Sequence, residues 1–212
     1  MVRETLTREK VLDEALALVD ADGMGALSMR KLAARLGVEA MSLYNHVKNK
    51  GDLLDGLTAR VFESVPLPVP SWSWETRVRR LAEGLYTAFT RHPAVVRALA
   101  AEEANPRSPG ALRVIDALLG ALLDAGLDEV AAARGYRSLM GLTFGAALAD
   151  SVAGGVAQRD EPVGDWFSRM VTPEELPNLY RVLPSLADVD CVQDFHDQLD
   201  LLLAGLRTAA AR

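Results

Sequence analysis

Residues Ser28 to Lys50, SMRKLAARLGVEAMSLYNHVKNK, constrain this chain more than any other stretch. Ser28 is suited to cap a helix, because its hydroxyl can accept a bond from an otherwise unpaired first-turn amide. Met29, Leu32, Ala33 and Leu36 then recur at helical spacing and form one apolar face. Gly37 follows where a helix C-terminus wants a residue that tolerates positive φ. A second helical pattern starts at Val38, with Leu43 and Val47 four apart. Two short helices about a glycine-containing turn have the dimensions of a helix-turn-helix.

The charge of the stretch agrees with nucleic-acid contact. Arg30, Lys31, Arg35, Lys48 and Lys50 face a single acid, Glu39, so the segment is net +4 inside a chain of net −6. A local basic island fits phosphate binding; a small helical corner with a solvated basic face is the alternative. In a helix-turn-helix the second helix lies in the major groove with its N-terminal residues at the bases. Leu43 and Val47 must face inward, which leaves Glu39, Ala40, Met41, Ser42, Tyr44, Asn45 and His46 able to point outward. Ala40 and Met41 offer apolar contact to a thymine methyl, and Ser42 and His46 can hydrogen-bond base edges or phosphate. Tyr44, Lys48 and Lys50 read as phosphate contacts, which set register without reading sequence. Ser28, Met29 and Arg30, opening the first helix, complete the DNA-facing set. Two residues have open readings: Tyr44 as a ring packed on the first helix, and His46 as a structural hydrogen bond.

Residues 7 to 57 resemble the N-terminal domain of tetracycline-repressor (TetR) family regulators. The most specific pieces are LSMRKLAARLGV and LYNHVKNKGDLL, the latter with an aromatic-x-His pair followed by Lys and Leu-Leu. The C-terminal half is similar to the ligand-binding domain of tetracycline-type regulators at LPNLYRVLPSLAD and DFHDQLDLLLAGL, with more interruptions. The resemblance implies a homodimer on an inverted-repeat DNA operator, released by a small-molecule effector, with no cofactor. It implies reading helices one DNA turn, about 34–36 Å, apart. It also implies dimerisation through helices 8 and 10, where Gly145, Ala149, Leu199, Leu202 and Leu206 match that role. The effector pocket would lie within the C-terminal domain. Phe62, Trp72, Trp74, Tyr86, Phe89, His92, Met140 and Phe144 are candidates by residue type, against the plainer reading of ordinary core.

The rest of the chain reads as all-α: an N-terminal three-helix helix-turn-helix domain and a larger helical ligand-binding and dimerisation domain. Ala and Leu dominate, and no run of alternating β-branched residues makes a strand. Helices are expected over about 7–22, 29–36, 39–46, 50–64, 74–91, 94–104, 109–125, 128–154 and 193–210, with a short one opening at Thr172 and a loop over 155–171. Three prolines within VPLPVPSWSW stop the fourth helix and place a boundary between domains 1–65 and 66–212.

One cysteine, Cys191, excludes an internal disulfide and suggests a reducing compartment, hence the cytoplasm. Asp150 interrupts the stretch 138–158, the best candidate for a membrane span, so none is expected. No nucleophile elbow, His-Glu-x-x-His or dinucleotide fingerprint is present, and the three histidines are scattered, so neither an enzyme nor a metal site is expected.

Overall fold

The computed structural model describes residues 5–101, 105–153, 167 and 169–211. Besides one 3-10 turn, Met24–Ala26, ten α-helices account for its regular structure among these residues, and no strand is found there. They are α1 (Arg8–Asp22), α2 (Met29–Leu36), α3 (Ala40–Leu43), α4 (Lys50–Glu63), α5 (Trp74–Arg91), α6 (Pro93–Ala100), α7 (Pro109–Asp124), α8 (Glu129–Ala153), α9 (Pro177–Ala187) and α10 (Cys191–Ala210).

Local chemistry sets most helix ends. The side chains of Thr7, Ser28, Asn49, Ser73 and Ser108 each accept a bond from the amide three residues on. Asp190 caps α10, taking the amides of Val192 and Gln193 at 3.1 and 3.0 Å. Gly37 ends α2 in the left-handed region at φ 65°. The Gly37 amide bonds the Ala34 carbonyl and the Val38 amide the Ala33 carbonyl, the paired closure of a helix that stops and turns.

Several boundaries differ from expectation, among them the end of α6, expected at 104 and found at Ala100. The helix expected over 39–46 is regular only from Ala40 to Leu43; Tyr44 to His46 continue as tighter turns, bonded to the carbonyls three residues back. The short helix expected at Thr172 is a single turn, with the Leu176 amide on the Thr172 carbonyl at 2.9 Å. The pyrrolidine of Pro177 bars Leu176 from helical dihedrals, so α9 starts afresh at Pro177. The loop expected over 155–171 lies almost wholly outside the described residues.

α1, α2 and α3 enclose Val11, Leu18, Leu32, Leu43 and Val47, all essentially inaccessible to solvent. α4 then leaves this group and packs on α5, α6 and α7 as well as on α1. At the crossing of α4 with α1, a Cβ on Gly56 would lie 2.5 Å from Leu12, so glycine permits that approach. α8 is the central helix of the larger half, in contact with α5, α6, α7 and α10. The residues after Val65, from Pro66 to Ser73, are exposed except for the half-buried Pro68. α9 buries none of its residues; Tyr180, Val182 and Leu186 are open to solvent.

Candidate nucleic-acid interface and effector interior

The helix-turn-helix turns its long polar side chains outward. Met41 is 73% exposed and Tyr44 46% exposed, with Asn45, Lys48 and Lys50 beside them. Ala40, Ser42 and His46 are half-buried, as is Met29, while Ser28 and Arg30 are exposed. The Tyr44 ring therefore stands at the surface and is not sealed against the first helix.

The five basic residues divide into two groups. Lys31 binds Asp22 at 2.8 Å and Arg35 binds Glu14, so both are partly neutralised by α1. Arg30, Lys48 and Lys50 form no ion pair among the described residues. The positive charge offered to phosphate is thus narrower than composition suggests.

Sequence reasoning missed the residue that holds this surface together. Arg8, on α1, makes a two-pronged pair with Asp52 on α4, at 2.8 and 3.0 Å. The same guanidinium donates to the His46 carbonyl at 2.6 Å. Asp52 also accepts the Lys48 amide at 2.8 Å, and Asn49 caps the Asp52 amide at 2.9 Å. One arginine thereby fixes the end of the reading segment against the start of α4. The available signal was Asn49-x-x-Asp52, a cap followed by an acid in the first turn.

The hydrogen bond from Arg8 holds the Asp52 carboxyl below the usual carboxylate range, against the opposing effect of burial. A folded-state value below the unfolded one stabilises above the ordinary carboxylate range and is lost as pH falls through it. Arg8→Ala should therefore cost roughly 0.5–1 kcal/mol at pH 7, since the pair is partly exposed. The difference in melting temperature between the native and variant proteins should shrink below about pH 4.

The interior expected to hold an effector is aromatic and tightly packed. Phe89 stacks on Phe144 with centroids 4.7 Å apart and meets Phe62 edge-on at 5.7 Å. Tyr86 stacks on Phe195 at 4.2 Å, nearly parallel. Phe62, Tyr86, Phe89 and Met140 are buried and Phe144 half-buried; Trp72 is exposed on the proline-rich link. His92 has a different partner: its Nδ1 lies 2.9 Å from Asp20 of α1, joining the α5–α6 elbow to the helix-turn-helix. Phe195 of α10 is the ring that pairs with Tyr86.

The residues suggested for a dimer face separate in the same way. Gly145 and Ala149 on α8 are exposed. Leu199 and Leu206 are buried in the chain's own core and have little side-chain surface to offer a second copy. Leu202 is half-buried, and the open leucine of α10 is Leu201, 76% exposed.

Comparison with known proteins follows this geometry. The tetracyclin repressor-like C-terminal domain family matches residues 67–210, and the bacterial regulatory proteins of the tetR family match residues 11–57. The chain belongs to the TetR family. An HTH-type transcriptional regulator of Saccharopolyspora erythraea is 37% identical over 151 residues, 69% of this chain and 62% of that protein. The class D tetracycline repressor protein of Escherichia coli is 40% identical over 90 residues, 41% of each chain. These matches span less than two thirds of the relatives' own lengths. Among solved structures, the TetR-family protein ActR of Streptomyces coelicolor in complex with actinorhodin superposes with a TM-score of 0.84 at 27% identity, covering 99% of this chain and 100% of that one.

Both halves of the chain thus match the TetR family of transcriptional regulators, with an N-terminal helix-turn-helix and a helical C-terminal part. TetR-family regulators bind DNA and small molecules, and ActR is solved with a small molecule, actinorhodin. Among the described residues no helix is long and apolar enough to cross a membrane.

Proposed function

We propose that this TetR-family protein is a repressor that binds an inverted-repeat operator as a homodimer and leaves it when a small molecule enters the C-terminal half. The surface formed by Met41, Tyr44 and Asn45, flanked by Arg30, Lys48 and Lys50, which form no ion pair among the described residues, carries the reading. Apolar and small polar side chains face the bases, and cations bracket them for the phosphates. The division into a DNA-binding part, 1–65, and an effector and dimerisation part, 66–212, draws support from the exposed link after Val65. α4 belongs to both sides of that division, packing on α1 and on α5, α6 and α7, and so offers a mechanical route between them. A ligand that changes operator affinity ~100-fold must bind the two conformations with about 3 kcal/mol different free energy.

The direct test is titration of the full chain onto DNA flanking its own gene at several salt concentrations. Tight binding with a steep inverse dependence on salt is expected. Absent or salt-independent binding to every flanking segment would sink the operator reading.

Dimerisation draws support from an open small-residue face on α8. A Cβ at Gly141 or Gly145 would meet no atom within 4 Å, and Leu201 on α10 is uncovered. Leu201→Glu should convert dimers into monomers in sedimentation while leaving the protomer's helical signal intact. Unchanged sedimentation would place the interface elsewhere.

A further inference from the structure

Two side-chain polar atoms in the effector half are buried without a hydrogen-bond partner among the described residues: Arg77 Nε, whose guanidinium already pairs with Asp124, and the Tyr86 hydroxyl, on a residue only 6% exposed. Buried hydroxyls are nearly always hydrogen-bonded, so an orphan calls for a reason. Its ring is locked against Phe195, so the hydroxyl cannot swing away to find a bond. The groups that act on it are Asp150, in the last turn of α8, and Cys191 and Asp190, at the start of α10. Burial pushes the ionisation of the Cys191 thiol up, and the Asp150 carboxylate, to which the thiol hydrogen-bonds, adds to the effect.

The carboxylates here are not equivalent. Asp190 is occupied as the cap of α10. Asp150 is half-buried, and no basic side chain pairs with it among the described residues. A partly buried, uncompensated carboxylate is costly unless a counter-charge arrives. An anion would be repelled, and a neutral ligand would leave Asp150 uncompensated. Burial, then Asp150, pushes the Tyr86 ionisation up to about 12, so at neutral pH the hydroxyl is intact. It can accept an N–H through its oxygen and keep its proton for a second contact.

We propose that Tyr86 and Asp150, with the Cys191 thiol beside them, form the polar end of an effector subsite that takes the protonated amine of an otherwise apolar aromatic ligand. This rests on the reading of the C-terminal half as an effector-binding domain and names the chemistry it selects. Asp150 supplies the counter-charge, Tyr86 the hydrogen bond, and the rings of α5 and α8 the apolar surroundings.

Two dyes test it in the full-length protein without DNA: dansylcadaverine, an aromatic body with a terminal ammonium, and its neutral N-acetyl derivative. The native protein should bind the amine at least ~10-fold more tightly than the amide, about 1.4 kcal/mol. Asp150→Asn should abolish that preference and leave the affinity for the amide unchanged. Tyr86→Phe should weaken the amine ~3- to 10-fold while raising the melting temperature by about 2 °C, because it deletes an unpaired buried hydroxyl. A purely structural Tyr86 would not move the two readouts in opposite directions. Equal binding of both dyes to the native protein overturns the amine subsite and leaves the effector domain standing. A preference that survives Asp150→Asn also overturns it. Failure of both dyes to bind at ~1 mM overturns the subsite and the small-molecule reading together. The comparison on the native protein needs no variant to fold.

Discussion

Replacing Lys48 and Lys50 together by alanine is expected to weaken operator binding by roughly three orders of magnitude at about 0.15 M salt. Both lysines are exposed and free of ion pairs among the described residues, so their charge is available to phosphate. On a homodimer the double substitution removes up to four phosphate contacts. Each contact releases close to one counterion, so the slope of log affinity against log salt should become shallower by about 3–4. Discrimination between operator and mutated operator should change little, because phosphate contacts carry no sequence information. Anisotropy titrations across a salt series read both quantities. An unaltered salt slope would show that the positive surface on DNA lies elsewhere, with Arg30 the next candidate.

Phe89→Ala should be the most damaging single change to the fold. The ring is fully buried between Phe62 of α4 and Phe144 of α8. Its removal leaves a cavity where three helices meet and should cost about 3–5 kcal/mol, read as a lowered denaturant midpoint. Phe62 is also one of the points at which the core of the larger half touches α4. Loss of Phe89 should therefore loosen the hold on α4 and blunt any effect of an effector on DNA binding. A midpoint within ~1 kcal/mol of the native value would mean the neighbouring rings close the gap.

The readable parts of this chain are those whose signals are local. Ser28 and Gly37 bound α2 because a hydroxyl three residues before an amide and a glycine at positive φ act within one turn of chain. The starts of α4, α5 and α7 are set with the same locality by the side chains of Asn49, Ser73 and Ser108. Failure came where a second local rule competed. Thr172 does cap a turn, but Pro177 breaks the path into a helix.

The site was half legible. Residue type and helical phase were enough to put Met41 and Asn45 outside and Leu43 and Val47 inside, since period alone assigns faces, but they left Tyr44 open. They could not distinguish the two faces of α10. Leu199, Leu201, Leu202 and Leu206 are the same residue type along one helix, and only packing on α8 settles which turn inward.

The sequence by itself determined an all-helical chain with a helix-turn-helix at residues 28–50 and a break at the prolines after Val65, because caps, glycines, prolines and apolar spacing act over a few residues. Only the tertiary structure decided which charges stay free. Arg8 meets Asp52 across 44 positions, His92 meets Asp20 across 72, and Lys31 and Arg35 are claimed by α1. Such pairs depend on where distant helices cross, and a single sequence shows the charges without showing the crossing. The same holds for Tyr86, whose lone hydroxyl among carboxylates exists only once α5, α8 and α10 have come together.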